Sequence, residues 1–294
     1  FIAHSVQLFG QGMPPNYSII QNEKPSLPNK PKNKVKKNIS DQLNSNSTQN
    51  WQPYQLWENG SAKLEPIYIN DSTVVTAGDY SASLINLRTK KLIHNFTSLT
   101  WPIYSVDVSQ DKKRVLTCSR YIINIYDLES GELRNIFVVS ENDTDFTFAK
   151  FSPDGHNIVV SIMIGEIIVY NSFSKQEVNR KKLHNDVINW VTYNYDGTKI
   201  ASAGRDNSVI IYDANSLNFI TSLSSFSAPV TAVCFNKQGN LIAAGGVEGK
   251  VLIYNIENFS TFPPIPIAND YVNSINFNDA DDILVVAGFG GPVN

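Results

Sequence analysis

Cysteine is scarce in this 294-residue chain: only Cys118 and Cys234 occur, 116 positions apart, with no CxxC pair and no neighbouring His pair. That excludes a disulfide framework and a structural zinc motif, and it fits a reducing compartment. Charge is sparse as well. Charged residues make up 17% and the formal net charge is −3, so no global field draws the chain toward nucleic acid. No apolar run approaches the ~20 residues a membrane-crossing helix needs, and the sequence reads as soluble and intracellular. No HExxH occurs, and neither Gly245-Gly246 nor Gly288-Phe289-Gly290-Gly291 is followed by Lys-Ser/Thr; glycines closing a strand are the expectation there. No catalytic residue, metal ligand or cofactor site is expected.

What the chain does have is a rhythm. A strand-like ending recurs as Leu84-Ile85-Asn86-Leu87, Ile125-Tyr126-Asp127-Leu128, Val169-Tyr170-Asn171, Ile211-Tyr212-Asp213-Ala214 and Ile253-Tyr254-Asn255-Ile256. From Ile85 to Tyr126, Tyr170, Tyr212 and Tyr254 the steps are 41, 44, 42 and 42 residues. Val108, Phe151, Tyr193, Phe235 and Phe277 close a second series of apolar runs at steps of 43, 42, 42 and 42. Short strands repeating every 40–45 residues predict a propeller of four-stranded blades.

The fourth unit shows the plan best. Val187 to Tyr193 is the expected innermost strand, Lys199 to Ala203 the second, Ser208 to Tyr212 the third and Asn218 to Leu223 the outer one. Asp196-Gly197 supplies the positive φ of a tight hairpin turn. Units one and two fall at about 63–97 and 103–137, and units three, five and six carry Ser152-Pro153-Asp154-Gly155, Asn236-Lys237-Gln238-Gly239 and Asn278-Asp279-Ala280-Asp281 after the apolar run. Five units are complete and a sixth is partial, with the missing part expected C-terminal and seven blades expected in a longer protein. The propeller is assigned to 61–294.

Residues 1–60 read as a low-complexity Pro/Asn/Lys-rich linker, although Ile2 to Phe9 could form one strand. Pro14-Pro15, Pro25, Pro28 and Pro31 break regular structure, and Asp41 to Thr48 is wholly polar apart from Leu43. Such composition buries too little apolar surface to offset ordering entropy. Five lysines fall within Lys30–Lys37. A solvated linker, a nuclear-targeting signal and a nucleic-acid contact are all compatible with that run.

His184, Ser202, Asp206 and Tyr212 stand at positions that resemble the structural hydrogen-bond tetrad of WD repeats; that resemblance implies that Asp206 holds the imidazole, which ties to the Ser202 hydroxyl and the aromatic on the third strand, buried polar groups needing partners. A Ser-His-Asp hydrolase triad uses the same residue types, but no nucleophile elbow accompanies it. Other units are degenerate. Unit one has Asp79 without a clear His, unit three has Ile164 at the Asp position and unit five has Glu248 there. Partner contacts are expected on one ring face, where binding residues concentrate in loops on a rigid scaffold. Register places Trp101, Tyr104, Asp186, Asn189, Arg205 and Asp270 there; Trp101 and Tyr104 could instead pack between blades.

These repeats resemble the WD-repeat family over roughly 63–294, with Tyr where that family's tetrad usually has Trp. The lysine run followed by Ile39-Ser40-Asp41-Gln42-Leu43, the start of unit one, and the extended Pro266-Ile267-Ala268-Asn269-Asp270 connection resemble the pre-mRNA-processing factor 19 family more narrowly. That resemblance implies a nuclear scaffold of the spliceosome-associated nineteen complex, binding other proteins, with ubiquitin transfer by an upstream U-box rather than by these residues. A small-subunit processome component in rRNA processing, and a cytoplasmic location, are the alternatives. No membrane partner is implied, and direct nucleic-acid contact is not indicated. Phe1 and the ending inside a repeat lead us to expect a longer protein.

Overall fold

A computed structural model describes residues 66–78, 80–97, 101–138, 144–267 and 271–289, and the backbone of 4–10 and 19–21. Every regular element among them is a strand. The chain begins with β1 (His4–Gly10) and β2 (Ile19–Gln21). The first sheet holds β3 (Ile67–Asn70), β4 (Thr73–Ala77), β5 (Ser81–Asn86) and β6 (Lys91–Thr97); the second holds β7 (Ile103–Val108), β8 (Arg114–Ser119), β9 (Ile122–Asp127) and β10 (Leu133–Val138). The third comprises β11 (Phe146–Phe151), β12 (Asn157–Ile162), β13 (Glu166–Asn171) and β14 (Glu177–Lys182). The fourth comprises β15 (Ile188–Tyr193), β16 (Lys199–Gly204), β17 (Val209–Asp213) and β18 (Phe219–Leu223). The fifth is β19 (Val230–Phe235), β20 (Leu241–Gly246), β21 (Lys250–Asn255) and β22 (Ile265–Pro266), and β23 (Tyr271–Phe277) and β24 (Ile283–Phe289) open the sixth. All pairings are antiparallel, and in the first five sheets the strands lie in sequence order, as the rhythm predicted. The protein is an all-β propeller of four-stranded blades.

The sixth sheet departs from expectation. Its order is β23-β24-β1-β2, with β1 paired along β24 from His4↔Phe289 to Gly10↔Ile283. The two outer strands therefore come from the N-terminal stretch read as linker, not from residues beyond Asn294. The physical reason is the exposed edge that β24 would otherwise present, which pairing removes. Within 1–60, read as a linker with a possible strand at Ile2 to Phe9, the backbone forms strands at His4–Gly10 and Ile19–Gln21, and the lysine run lies outside the described residues.

Burial is graded from the axis outward. Second strands such as β8, β12, β16 and β20 are covered on both faces after their first residue, because neighbouring blades sandwich them, and they read as near-continuous apolar runs. Outer strands β10, β14 and β18 are largely exposed. The turns repeat too. The side chains of Ser109, Ser152, Asn194, Asn236 and Asn278 accept the backbone N–H of the residue five positions on, at 3.0, 2.9, 2.8, 2.8 and 3.0 Å. Gly155, Gly197 and Gly239 take the positive φ that these turns require, at 69°, 75° and 73°.

Each innermost strand from the second sheet onward carries a bulge near its start, leaving Tyr104, Thr147, Asn189, Thr231 and Asn273 out of register. Two of these bulge residues reach the next blade: Asn189 Nδ2 donates to Val230 O at 2.8 Å, and Thr231 Oγ1 donates to Val272 O. Ser105 does the same work one residue past its bulge, accepting the Ala149 N–H at 2.9 Å. These bonds stitch successive blades around an axis.

Candidate functional site: one face of the propeller

Antiparallel order puts the loop entering each innermost strand and the turn between its second and third strands at the same end of the sheet. In the fourth blade this end carries the polar cluster the sequence predicted. His184 is fully buried. Its Nδ1–H donates to Asp206 at 2.9 and 3.0 Å, and its Nε2 accepts the Ser202 hydroxyl at 2.6 Å. Asp206 also accepts the Asn185 N–H at 2.9 Å and the Ser208 hydroxyl at 2.7 Å. Burial opposes the charge on both ionisable groups. For His184 burial wins over the Asp206 carboxylate, and the imidazole pKa falls. For Asp206 the hydrogen bonds from Ser208, His184 and Asn185 outweigh burial, and its pKa also falls. The stable form is thus a neutral imidazole on a carboxylate. Gly204 leaves it room: a Cβ there would lie 2.4 Å from His184 Nδ1 and 2.5 Å from Asp206 Oδ1.

The fourth expected link is not made. Tyr212 is fully buried on β17, and burial raises its phenol pKa. The Ser202 hydroxyl is close enough to offset part of that rise, yet the Tyr212 hydroxyl makes no hydrogen bond. Tyr212 serves by packing. Nothing about the cluster suits a nucleophile, because Ser202 has no exposed surface.

The fifth blade solves the same problem without an imidazole. One repeat of 42 residues on, Phe226 replaces His184 and Ala244 replaces Ser202, both buried. Glu248 stands for Asp206 and keeps only the loop-tying part of its role. It accepts the Ala228 N–H at 2.8 Å and the Ser227 hydroxyl at 2.6 Å, and pairs with Lys250. Burial opposes its charge, but the Lys250 and Ser227 bonds dominate and hold its pKa down to about 2.

Of the predicted contact residues, Asp186 and Arg205 are exposed at this end of the fourth blade. Asn189 is half-buried and committed to Val230 O, so it joins blades rather than partners. Asp270, like Asp79, lies outside the described residues. Trp101 and Tyr104 sit together on the second blade, where Trp101 is half-buried and Tyr104 is 38% exposed. Trp101 meets Tyr121, on the turn of its own blade, edge-on at 5.3 Å. The Arg120 guanidinium lies 5.1 Å from the Trp101 ring and 5.0 Å from the Tyr121 ring, and it donates to Asp145. That hydrogen bond raises the Arg120 pKa. Sequence reasoning missed Arg120, Tyr121 and Asp145. Register with Arg205 could have found Arg120, since both follow the last residue of a second strand. Tyr80, Met163, Ile164 and Val247 occupy the equivalent turns of other blades and are 57%, 43%, 39% and 40% exposed. The result is a broad face of aromatic and aliphatic side chains that includes the Arg120–Asp145 ion pair on the second blade, and Arg and aromatic residues are the types that interface hot spots favour. Among the described residues, no group of three His, Cys, Asp or Glu side chains could hold a metal ion.

The family model "WD domain, G-beta repeat" matches residues 176–213 and 217–255. Each match joins the outer strand of one blade to the three inner strands of the next, and together they cover the blades that keep Asp206 and Glu248. Autophagy-related protein 18 of Dictyostelium discoideum is 26% identical over 164 residues, covering 52% of this chain and 44% of that protein. The match thus spans less than half of that relative's length. A chain of the structure titled "Crystal Structure of Mitotic Checkpoint Complex" superposes with a TM-score of 0.65 at 18% identity, covering 74% of this chain and 68% of that one. That likeness concerns the fold. Residues 176–213 and 217–255 thus match the WD repeat, and the chain shares the fold of that neighbour.

Proposed function

We propose that this WD-repeat propeller is a protein-interaction scaffold whose second blade, at Trp101, Tyr104, Arg120 and Tyr121, is the centre of its docking face. The observation that carries the reading is the Arg120 guanidinium packed against two aromatic rings, 5.1 and 5.0 Å from their centres, on one ring face. Arg and aromatic anchors supply most of the energy of protein interfaces. The test is affinity purification of the tagged full chain beside its Tyr104→Ala/Arg120→Ala variant. Proteins recovered with the first and lost with the second support the face; an unchanged set removes it.

The narrower reading is a nuclear scaffold of the nineteen complex in pre-mRNA splicing, with any ubiquitin transfer supplied by a module outside these residues. The lysine run at Lys30–Lys37 and the connection after Asn255 support it. A role in autophagy is the second reading, supported by the partial similarity to Autophagy-related protein 18. The recovered proteins decide between them. Spliceosome components favour the first, autophagy factors the second, and nucleolar RNA with its proteins the ribosome-assembly alternative. Replacing the five lysines by Gln tests localisation: loss of nuclear accumulation supports targeting, and an unchanged distribution overturns it.

A further inference from the structure

At one place in the repeat, the residue directly after each second strand, the ring presents Gly78, Arg120, Met163, Arg205 and Val247 in blade order. The two arginines stand there on different terms. Arg120 has its carboxylate within the fold: Asp145, the residue just before the innermost strand of the next blade, pairs with it. The equivalent position for Arg205 is held by Pro229, one residue before β19, and a proline side chain accepts no hydrogen bond. The backbone of Arg205 is fixed, since its N–H donates to Val187 O at 2.8 Å. Its side chain is exposed, and its guanidinium makes no hydrogen bond or ion pair among the described residues. Asp186, on the entering loop of the same blade, turns one carboxylate oxygen to its own chain and accepts the Val187 N–H at 2.6 Å. Around the ring Arg205 lies between Met163 and Val247, which are 43% and 40% exposed.

We propose that Arg205 receives an aspartate or glutamate side chain of a partner protein, and that apolar residues beside this acid cover Met163 and Val247. The inference rests on the docking-face reading and adds the partner's chemistry to it. Charge complementarity carries it. A guanidinium offers parallel N–H donors that match both oxygens of one carboxylate, and the partner's acid supplies from outside what Asp145 supplies to Arg120 from within. The apolar neighbours strengthen the pair, because attraction between charges grows as water is excluded. A phosphorylated side chain fits less well. It brings close to two negative charges to an end that already shows the exposed Asp186 carboxylate.

The test is selection of random peptides of about twelve residues, displayed on phage, by the immobilised full chain. It is run in parallel on the parent protein, Arg205→Gln, Arg205→Glu and Tyr104→Ala/Arg120→Ala. The parent should enrich peptides that carry Asp or Glu next to apolar residues. Arg205→Gln should lose the acid and keep the apolar residues, and Arg205→Glu should select Lys or Arg in its place. A peptide selected by the parent, followed by fluorescence anisotropy, should bind Arg205→Gln at least about tenfold more weakly. Its own form with the acid changed to the amide should bind the parent equally weakly, a comparison that needs no variant protein to fold. No enriched peptide, enrichment without an acid, or the same acidic enrichment on Arg205→Gln overturns the proposal. The Tyr104→Ala/Arg120→Ala arm separates it from the wider reading. Peptides lost there but showing no acidic preference leave the docking face standing and refute this inference. Acidic peptides retained there keep Arg205 as the contact and move the centre of the face away from the second blade.

Discussion

The fourth and fifth blades occupy the same fold and close the same loop by different physics. In the fourth, a neutral imidazole lies between a hydroxyl and a carboxylate. In the fifth, Phe226 and Ala244 fill that space and Glu248 ties the entering loop from outside. The lesson is that the propeller needs volume and a tied loop at this position, whereas the buried polar set is one solution among others. Replacing a paired polar group by an apolar one of similar shape can be nearly neutral when both partners go together, and costly when one is left behind.

The most damaging change should be at the glycine both blades share. Gly204→Ala drives a methyl into His184 and Asp206, and Gly246→Ala drives one to 2.1 Å from Pro229 O. Each is expected to cost about 3–5 kcal/mol or to prevent folding, the range for strained or broken buried networks; urea denaturation reads it. A large difference between the two would break the equivalence of the blades. Next, His184→Ala should cost about 3 kcal/mol, because it empties a buried site, leaves the Ser202 hydroxyl without its acceptor and takes one of its donors from Asp206. Converting the fourth blade toward the fifth with His184→Phe and Ser202→Ala together should cost less than the sum of the two singles by about 1–2 kcal/mol, as residues in one network couple. Strict additivity in that cycle would refute the comparison.

A smaller effect separates the blades by acid. His184 has a folded pKa below its usual 6.5, so below that pH the unfolded chain binds the proton first and the fourth blade begins to lose stability. Glu248, with a pKa depressed to about 2, keeps its contribution above its unfolded value near 4.5 and loses it only as pH falls toward 2. Hydrogen exchange near pH 5 should therefore show β15 and β16 loosening ahead of β19 and β20, and the His184→Phe/Ser202→Ala protein should lose that order. Asn189→Ala removes one bond between these blades and should cost about 1 kcal/mol. The smallest effect is expected at Asp186→Ala and Arg205→Ala, which should stay within about 0.5 kcal/mol of the parent while any loss of partner capture marks them as contacts.

Strands and turns were readable because their signals are local, whereas the grouping of His184, Ser202 and Asp206 came from the resemblance of one unit to the WD repeat. A residue type recurs at a fixed step, and an Asn or Ser caps each turn at the same offset. Three features were not readable for the opposite reason. The role of Asn189 depends on a bulge, which shifts register without a compositional mark. Whether the Tyr212 hydroxyl finds a partner depends on reach, where Tyr differs from Trp. The pairing of β1 with β24 joins segments at opposite ends of the sequence, and no periodicity relates them.

That last pairing fixes an order of events. During synthesis His4–Gly10 emerges before the other described strands, and its partner strand is made after all of them. Until then the N-terminal segment has nowhere to dock, and the sixth sheet cannot form on the ribosome ahead of the others. Contacts between such distant segments are slow to close, so sealing the sixth blade should follow the formation of the other five sheets, and the nascent chain must be guarded against borrowing that strand from a neighbour.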